Sequence, residues 1–468
     1  DARVFLEDTF KRNAAKRLLV EADGTETTYG QFHAQAATIA RNLLGRGLKP
    51  GSRLMIQTEN SGRLLALYLG CALSGMVACP VDPQLPAQRA AALRSRMAPA
   101  LLVDEAELAK LLAAPAQPGA ALPAVADDAD FVVVYSSGST GEPKGIVHSL
   151  RSMTDSAKSF AALSGLNADS VVYHHFPMFY MAGIFNQFFC PLVAEGAIVI
   201  GPRFSKMQML RFWEVPMRLG VNCLTLTPTM ALSLAQLYRR DGQLLDHLSK
   251  YQAVVATGGP LYRSVAERFF DTFKVPIRCC YGVTEVGGSI TFQSWEDALA
   301  FESTGGFDPA IDIIAGSEEK PAEVFVRTPF MARAYLINGE RKAVCDDKGY
   351  FHTGDIGYVR NGLLYFVGRE HDLIKKGGEF VSTQLVEDLA LRNAHATDVA
   401  AIGVEDEYWG ARMVLFYVPA SGATEPDALA GFEKVFAEGL RPIERPDKII
   451  PVPWMPKSSI GKILKREL

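Results

Sequence analysis

The chain has 468 residues, of which 48% are hydrophobic and 21% charged, and its formal net charge is -4. This length exceeds what one hydrophobic core usually supports, so two or more domains are expected. The balanced charge is typical of a globular protein and argues against a nucleic-acid or polyanionic-membrane partner. Asn186, Gln187 and Glu195 interrupt the most apolar stretch, residues 185–200, which is therefore too polar for a membrane span.

Helical and strand-like patterns alternate along the chain. Apolar spacing predicts helices at 28–48, 64–73, 88–96, 152–163, 228–239, 384–392 and 427–440. Strands are predicted at 53–57, 76–81, 131–134, 171–173, 197–200, 222–226, 253–256, 399–404 and 414–418. Residues 105–129, rich in Ala and Pro, read as a surface connection. The order predicts an α/β fold of mostly parallel sheets flanked by helices, followed by a small α+β module.

The seven cysteines are scattered, and no pair has Cys-x-x-Cys spacing. Such an odd, scattered set fits neither a disulfide framework nor a zinc site, and it favours a reducing, cytoplasmic location. His174 and His175 are adjacent on a predicted strand, so their side chains would point to opposite faces and would not form a metal pair.

A hydroxyl-rich loop follows the β-branched run at 131–134. It contains Ser136, Ser137, Gly138, Ser139, Thr140, Gly141 and Lys144. Glycines let a backbone approach an anion, while hydroxyl groups and a lysine bind phosphate oxygens. The pattern is not that of a P-loop NTPase, because Pro143 precedes Lys144 and Gly145 follows it. A phosphate-binding loop is favoured, and a merely flexible surface loop is the alternative.

Five further clusters carry chemical groups. A second strand runs into Gly258-Gly259-Pro260, the kind of junction where ligands of open α/β sheets bind. The stretch 281–285 is Tyr-Gly-Val-Thr-Glu, and Asp355 follows a glycine-bounded turn. Residues 368–379 have the charge density and paired glycines of a hinge or mobile loop. The chain ends near Lys462, which follows a glycine.

Taken together and in this order, the clusters resemble the adenylate-forming superfamily, which comprises acyl-CoA synthetases, peptide-synthetase adenylation domains and luciferase. The chain is most like the AMP-forming acyl- or aryl-CoA ligases. The resemblance covers nearly the whole chain and implies a large N-terminal domain, 1–371, and a small mobile C-terminal domain, 372–468. It implies that a carboxylic acid and ATP form acyl-AMP with release of pyrophosphate, and that the acyl group then passes to CoA. ATP, Mg²⁺ and CoA would be the cofactors or co-substrates.

The resemblance also assigns roles around the phosphates. The run from Ser136 to Lys144 would hold the β- and γ-phosphates of ATP. Thr284 would contact the α-phosphate, and Glu285 would help to hold Mg²⁺. Lys462 would reach the acid carboxylate and the α-phosphate together, where a fixed cation offsets the repulsion between two anions. Thr284, Glu285 and Lys462 would therefore form the catalytic group.

Around the nucleoside, Tyr281 would stack on adenine opposite the turn formed by Gly258, Gly259 and Pro260, and the adjoining Gly282 would also belong to the nucleotide site. Asp355 would accept hydrogen bonds from both ribose hydroxyls, and Arg369 would add a ribose contact.

Asp372 matches the family's hinge, about which the small domain would swing between adenylating and thioester-forming poses. The channel for the thiol would be lined by Lys375, Gly377, Gly378 and Glu379. After the hinge the chain departs from the family's Pro-x-Glu-φ-Glu stretch at Thr383 and Leu385 but retains Glu387.

The predicted acid pocket is apolar or small. Its candidates are Tyr180, Met181, Gly183, Phe185 and Val283, although such residues are as often ordinary core. Tyr180 replaces the family's usual histidine. An amino acid's ammonium group would be unpaired there, so an uncharged fatty or aromatic acid is favoured.

Two alternatives remain open. The acyl acceptor could be the phosphopantetheine arm of a carrier protein, whereas CoA would need basic residues such as Arg203, Arg278 or Lys376. The second alternative is a non-catalytic regulator that binds a nucleotide or an acyl-adenylate. The intact Lys144 and Lys462 disfavour it. The oligomeric state is open and includes a dimer. His148, just past the phosphate loop, is expected to be structural.

Overall fold

The computed structural model describes residues 1–113, 122–137, 143–238, 241–300, 303–369, 373–376, 379–406, 408–458 and 461–468. The α-helices are α1 Ala2–Arg12, α2 Tyr29–Gly45, α3 Gly62–Ser74, α4 Ala87–Met97, α5 Glu105–Ala113, α6 Leu150–Ser164, α7 Met181–Ile184, α8 Cys190–Val193, α9 Lys206–Met209, α10 Glu214–Arg218, α11 Pro228–Leu237, α12 Gly242–Leu248, α13 Arg263–Phe273, α14 Trp295–Ala300, α15 Thr383–Ala390 and α16 Glu425–Gly439. No helix in these ranges is both long enough and apolar enough to cross a membrane.

The first strands are β1 Arg17–Glu21, β2 Glu26–Thr28, β3 Arg53–Ile56, β4 Val77–Pro80, β5 Leu101–Val103, β6 Asp130–Ser137, β7 Pro143–Ser149, β8 Val171–His174, β9 Ala197–Ile200, β10 Cys223–Leu226, β11 Ala253–Ala256, β12 Arg278–Cys279 and β13 Gly282–Val283. The others are β14 Gly288–Ser289, β15 Thr291–Phe292, β16 Gly305–Phe307, β17 Asp312–Ile314, β18 Ala322–Arg327, β19 Ala334–Ile337, β20 Glu340–Lys342, β21 Phe351–Arg360, β22 Leu363–Arg369, β23 Leu373–Lys376, β24 Glu379–Ser382, β25 Ala396–Asp406, β26 Gly410–Pro419 and β27 Lys448–Pro451.

Two seven-stranded sheets form the larger part of the molecule. One has the order β12-β11-β10-β8-β9-β1-β2 and is parallel except for its last pair. The other has the order β20-β19-β7-β6-β4-β3-β5, with parallel pairing from β6 through β5. A common core contains residues of both sheets together with α2, α3 and α6, so these helices are packed between them. The predicted α/β class with helix-flanked parallel sheets is confirmed.

A third sheet of six antiparallel strands, β15-β16-β22-β21-β18-β17, was not predicted. It occupies the chain between the second Gly-rich junction and the C-terminal elements. Its longest pair, β21 and β22, places Asp355 directly opposite Arg369.

The C-terminal module, residues 373–468, contains the three-stranded sheet β25-β26-β27 and the hairpin β23-β24. Helices α15 and α16 pack on the sheet around Val399, Leu415 and Phe432. The predicted strands at 399–404 and 414–418 fall within β25 and β26, and the predicted helices at 384–392 and 427–440 match α15 and α16 but extend two residues and one residue beyond their C-terminal ends. Helix α15 also contacts α13 of the larger part.

The proposed surface connection at 105–129 is wrong for its first nine residues, which form helix α5. Leu108 and Leu111 are fully buried there, and the amide of Asn42 donates to the Leu111 carbonyl at 2.8 Å. The prediction rested on alanines and prolines, but residues 105–113 contain no proline, and their alanines and leucines are strong helix formers that pack on α2.

Candidate active site

The phosphate loop connects an antiparallel pair, β6 and β7, in which Ser136 lies opposite Lys144. The predicted contacts Gly138, Ser139, Thr140 and Gly141 lie outside the described residues, as do the side chains of Ser136 and Ser137. Lys144 is described, and its Nζ lies 5.5 Å from the centroid of the Tyr335 ring. The ring belongs to β19, which pairs with β7 on the side opposite β6.

Tyr335 also contacts Glu285. Its hydroxyl donates to Glu285 Oε1 at 3.0 Å, in a short turn that contains Thr284 as well. Burial raises the pKa of Glu285, while the Tyr335 hydroxyl and the nearby charge of Lys144 favour the ionised carboxylate. The structure thus brings Lys144 and Glu285 together around a tyrosine that sequence reasoning missed.

The turn at Thr284 rests on His148. The imidazole Nε2 donates to the Thr284 carbonyl at 2.8 Å, and Nδ1 faces Ser152 Oγ at 3.2 Å. Burial lowers the pKa of His148 to about 4, so the ring is neutral at pH 7. A fully buried neutral imidazole with both nitrogens engaged supports the structural role expected for this residue.

Asp355 is the centre of a second group. Tyr281 donates its hydroxyl to Asp355 Oδ2 at 2.7 Å, and Arg369 Nε donates to Oδ1 at 3.0 Å. The carboxylate is 1% exposed, yet each of its oxygens can accept a further hydrogen bond. The Cys280 amide donates to the Ala256 carbonyl at 3.0 Å. This bond places the residue before Tyr281 beside β11, the strand that leads to Gly258. The structure therefore assembles the residues proposed for adenine and ribose.

Tyr180 begins the helical segment that supplies the acid-pocket candidates. It is followed by α7 and by a π-helix, Phe185–Phe189, in which all five side chains are buried. Burial raises the pKa of Tyr180, and the charges that act on it are those of Arg369 and Glu285. Tyr180 is therefore near both polar groups described above.

Close backbone packing shapes this pocket region. A methyl group on Gly288, opposite Val283 in the β13-β14 pair, would lie 2.8 Å from the Phe185 ring. Asn186 Nδ2 donates to Ser289 Oγ at 3.1 Å, which adds a buried polar pair that the sequence did not indicate.

Lys462 lies in a turn that approaches the C-terminal end of β10. Ser458 N donates to the Lys462 carbonyl at 2.8 Å, and the Lys462 amide donates to Ser458 Oγ at 3.2 Å. A methyl group on Gly461 would lie 3.8 Å from Thr227 Oγ1, at the C-terminal end of β10. Since β10 is the neighbour of β11, the Lys462 turn is close to the Gly258 junction.

The predicted hinge and thiol channel are only partly described. Asp372, Gly377 and Gly378 lie outside the described residues, and nothing is described of the Lys375 and Glu379 side chains. Their backbones belong to the hairpin β23-β24, in which Lys375 pairs with Phe380.

The three basic candidates for CoA contact are each engaged within the chain. Arg203 pairs with Asp82 at 3.2 Å. Arg278 is sandwiched between the rings of Phe292 and Trp295, 4.0 and 4.6 Å from their centroids. Lys376 is buried and lies 2.7 Å from an Asp447 carboxylate oxygen. A contact of any of the three with CoA stays a prediction.

The fold and this group of side chains define a nucleotide-binding enzyme of the adenylate-forming class. The chain belongs to the AMP-binding enzyme family, whose model matches residues 6–336. The model of the AMP-binding enzyme C-terminal domain matches residues 385–462.

The chain is similar to CoA ligases along its whole length. It is 27% identical to 4-coumarate–CoA ligase 5 of Oryza sativa subsp. japonica, over 98% of this chain and 93% of the relative. It is 23% identical to 2-succinylbenzoate–CoA ligase of Oceanobacillus iheyensis, over 97% and 96%. The crystal structure of the anthranilate CoA ligase AuaEII in complex with anthranoyl-AMP has a TM-score of 0.86 at 19% identity, over 100% and 96%.

Proposed function

We propose that this enzyme, an ATP-dependent acyl-CoA ligase, activates an aromatic or aliphatic acid that carries no amino group, through acyl-AMP, with the site residues described above. The observation that carries the proposal is that three groups of predicted site residues are each assembled by contacts between separate elements. They are Lys144 with Glu285, Asp355 with Tyr281 and Arg369, and the turn of Lys462. Relatives named for 2-succinylbenzoate and 4-coumarate support an aromatic acid, and the malonate–CoA ligase of Arabidopsis thaliana supports an aliphatic one.

In the first half-reaction, a carboxylate oxygen of the acid attacks the α-phosphorus of ATP. The bond from that phosphorus to the oxygen bridging to the β-phosphate breaks, and pyrophosphate leaves with the electron pair. Lys462 would offset the repulsion between the two anions as they meet, and Lys144 would hold the departing phosphates. The Thr284 hydroxyl would donate to an α-phosphate oxygen.

Mg²⁺ fits this site through Glu285. The described residues contain no group of three or more His, Cys, Asp or Glu able to hold a metal ion. Magnesium in nucleotide enzymes needs no such cage, because one or two carboxylates act together with substrate phosphates. A buried carboxylate whose pKa is raised by burial gains from a bound cation. The bound ion would supply positive charge to the phosphates, and Glu285 would hold it.

The nucleoside would bind against the antiparallel sheet. Both Asp355 oxygens would accept from the ribose hydroxyls, with Arg369 holding the carboxylate from the other side. Tyr281 would offer its ring to adenine across from the turn that Gly258, Gly259 and Pro260 form. Gly282 allows β13 to pair closely with β14, since a methyl group there would lie 1.9 Å from the Gly288 carbonyl oxygen.

In the second half-reaction, the CoA thiol attacks the acyl carbonyl carbon, and AMP leaves with the electrons of the acyl–oxygen bond. We propose that residues 372–468 swing about Asp372 between the two steps. Lys375, Gly377, Gly378 and Glu379 would then line the thiol channel. The acid would lie among Tyr180, Met181, Gly183, Phe185 and Val283.

The seven free cysteines support a reducing location, and we propose that the enzyme is cytoplasmic.

The test measures pyrophosphate release with ATP, Mg²⁺ and a panel of aliphatic, aromatic and amino acids, each with and without CoA. Lys462→Ala should lower acid-dependent release by roughly 10² to 10³. Lys448→Ala, which removes an exposed lysine of the same module, should not. Acyl-CoA and AMP as products would support the proposal. Bound acyl-AMP that CoA does not discharge would instead indicate a carrier protein as acceptor, and equal rates in both variants would remove Lys462 from the mechanism.

A further inference from the structure

The buried carboxylate of Glu387 accepts hydrogen bonds from three places: strand β25, Lys465 near the Lys462 turn, and Tyr262 of the larger part of the molecule. It lies on α15 and is 2% exposed. Its Oε1 accepts from the Ala401 amide of β25 at 2.6 Å and from Lys465 Nζ at 2.8 Å. Its Oε2 accepts from the hydroxyl of Tyr262, which belongs to the larger part of the molecule. A buried charge with donors of this kind is well stabilised, and loss of one donor is costly.

The two Oε1 donors belong to the C-terminal module, as Glu387 does. These contacts can persist whatever the orientation of the module. The Tyr262 contact differs, because Tyr262 directly precedes α13 and follows the Gly258 junction by only a few residues. It forms only when α15 is seated on α13. A second contact crosses the same boundary, where the Ser264 amide donates to Asp388 Oδ1 at 2.9 Å.

The same carboxylate is coupled to the Lys462 turn. Lys465 follows Lys462 by three residues, and its Nζ also lies 3.2 Å from Thr383 Oγ1. Leu464 N donates to the Pro456 carbonyl at 2.8 Å, which ties the two ends of the turn together. Glu387 therefore fixes the base of the turn through Lys465, while Tyr262 fixes Glu387 to the larger part.

We propose that Tyr262 is a positioning residue for acyl-adenylate formation. Its hydroxyl holds Glu387, and through Glu387 and Lys465 it holds the Lys462 turn beside Thr227, at the C-terminal end of β10. The inference rests on the role proposed for Lys462. It goes further by assigning a half-reaction to a residue that does not touch the reacting atoms. Once the module leaves this pose for thioester formation, the contact is broken and has no function.

The test separates the two half-reactions in Tyr262→Phe, which keeps the ring and removes only the hydroxyl. Acid-dependent pyrophosphate release in a single turnover should fall about tenfold, the usual effect of losing a hydrogen bond to a charged group. Conversion of added acyl-adenylate and CoA to acyl-CoA should be unchanged or faster. Tyr238→Phe is the matched control, since the Tyr238 hydroxyl contacts only its own loop through Asp241 among the hydrogen bonds found. It should leave both steps at the native rate.

Three results would overturn the proposal: equal loss in both half-reactions, no loss in the first, or loss in the second alone. Asp388→Asn, at the second contact across the boundary, should give the same split and provides an independent variant. In the Lys462→Ala background, Tyr262→Phe should cause less than about a twofold further loss, because coupled residues are not additive. A full tenfold loss there would show that Tyr262 acts without Lys462. If Lys462→Ala alone is fully active, the proposed mechanism fails whatever Tyr262 does.

Discussion

Two carboxylates of the antiparallel sheet, Asp355 and Asp312, contact the same types of residue but differ in their exposure to solvent. Asp355 is paired with Tyr281 and Arg369, and Asp312 is paired with Tyr350 and Arg327. The side chain of Asp312 is 46% exposed, whereas that of Asp355 is 2% exposed. Electrostatic contacts are strong only where water is excluded, so the same three residue types make a weak surface cluster around Asp312 and a strong buried cluster around Asp355.

Asp355→Asn tests the binding role at the residue scale. The amide retains the shape but offers one acceptor oxygen in place of two and loses the charge that Arg369 balances. We expect ATP affinity, measured by titration calorimetry, to fall between about 10-fold and 100-fold, the range for a charged hydrogen bond.

Asp312→Asn is the control and should leave ATP affinity at the native value. Unchanged affinity in Asp355→Asn would exclude that carboxylate as the ribose contact. An equal fall in both variants would mean that the sheet, rather than the site, was damaged.

The residues that the sequence revealed and those it concealed differ in how they reach the site. Lys144, Glu285 and Asp355 stand in local patterns of glycines, hydroxyls and charge, so their chemistry is visible without a fold. Tyr335 reaches Glu285 only because β19 pairs with β7 in one register. Asn186 reaches Ser289 through a π-helical turn. No local pattern encodes either contact, since both depend on elements far apart in the chain.

At the scale of the element, the segment from Pro177 to Phe189 is held by close backbone approach. A methyl group on Gly183 would lie 2.2 Å from the Pro177 carbonyl oxygen, well inside van der Waals contact. The helix that bears the acid-pocket candidates can therefore fold back on the strand exit only with glycine at this position.

Gly183→Ala should destabilise the protein by about 1 to 3 kcal/mol, as overpacking commonly does, and should raise the KM for the acid. Urea unfolding and acid-dependent pyrophosphate release measure the two effects. Gly242→Ala is the matched control: a methyl group on this first residue of α12 meets nothing within 4 Å. It should be neutral or slightly stabilising. Equal stability in the two variants would contradict the packing argument.

Elements were predictable where their pattern was long and regular. Helices α2 and α6 carry a clear apolar face, helix α3 is apolar and buried along nearly its whole surface, and strands such as β9 and β11 are uninterrupted apolar runs. The six-stranded sheet was missed because its strands are short or half-exposed and their apolar residues alternate with charged ones. Its stability comes from pairing between distant segments, which periodicity in one segment does not report.

At the scale of the whole molecule, the larger part contains three buried, neutral imidazoles, those of His148, His174 and His175. Burial lowers the pKa of His148 and of His175 to about 4 and that of His174 to about 3, from 6.5 in an unfolded chain. A base whose pKa is lower in the folded state contributes stability above pH 6.5. It loses that contribution as the pH falls toward 4, because the unfolded chain binds the proton first. The contribution of these histidines to the free energy of unfolding should therefore fall steadily as the pH is lowered from 7 to 5.

His175→Phe isolates one of these contributions. The imidazole lies among the rings of Tyr173, Phe176 and Phe212, so a phenyl ring fits its surroundings. The Thr225 carbonyl that loses its 2.8 Å bond from His175 keeps one from Gln187 at 3.4 Å.

The free energy of unfolding, measured with urea, should fall by about 2 kcal/mol less in this variant than in the native protein between pH 7 and pH 5. Glu21 and Glu285, whose pKa values burial raises, act in the opposite sense in both proteins and cancel in the comparison. Parallel curves for the two proteins would mean that His175 is protonated as readily in the fold as outside it, and the apolar core around it would then have to admit water.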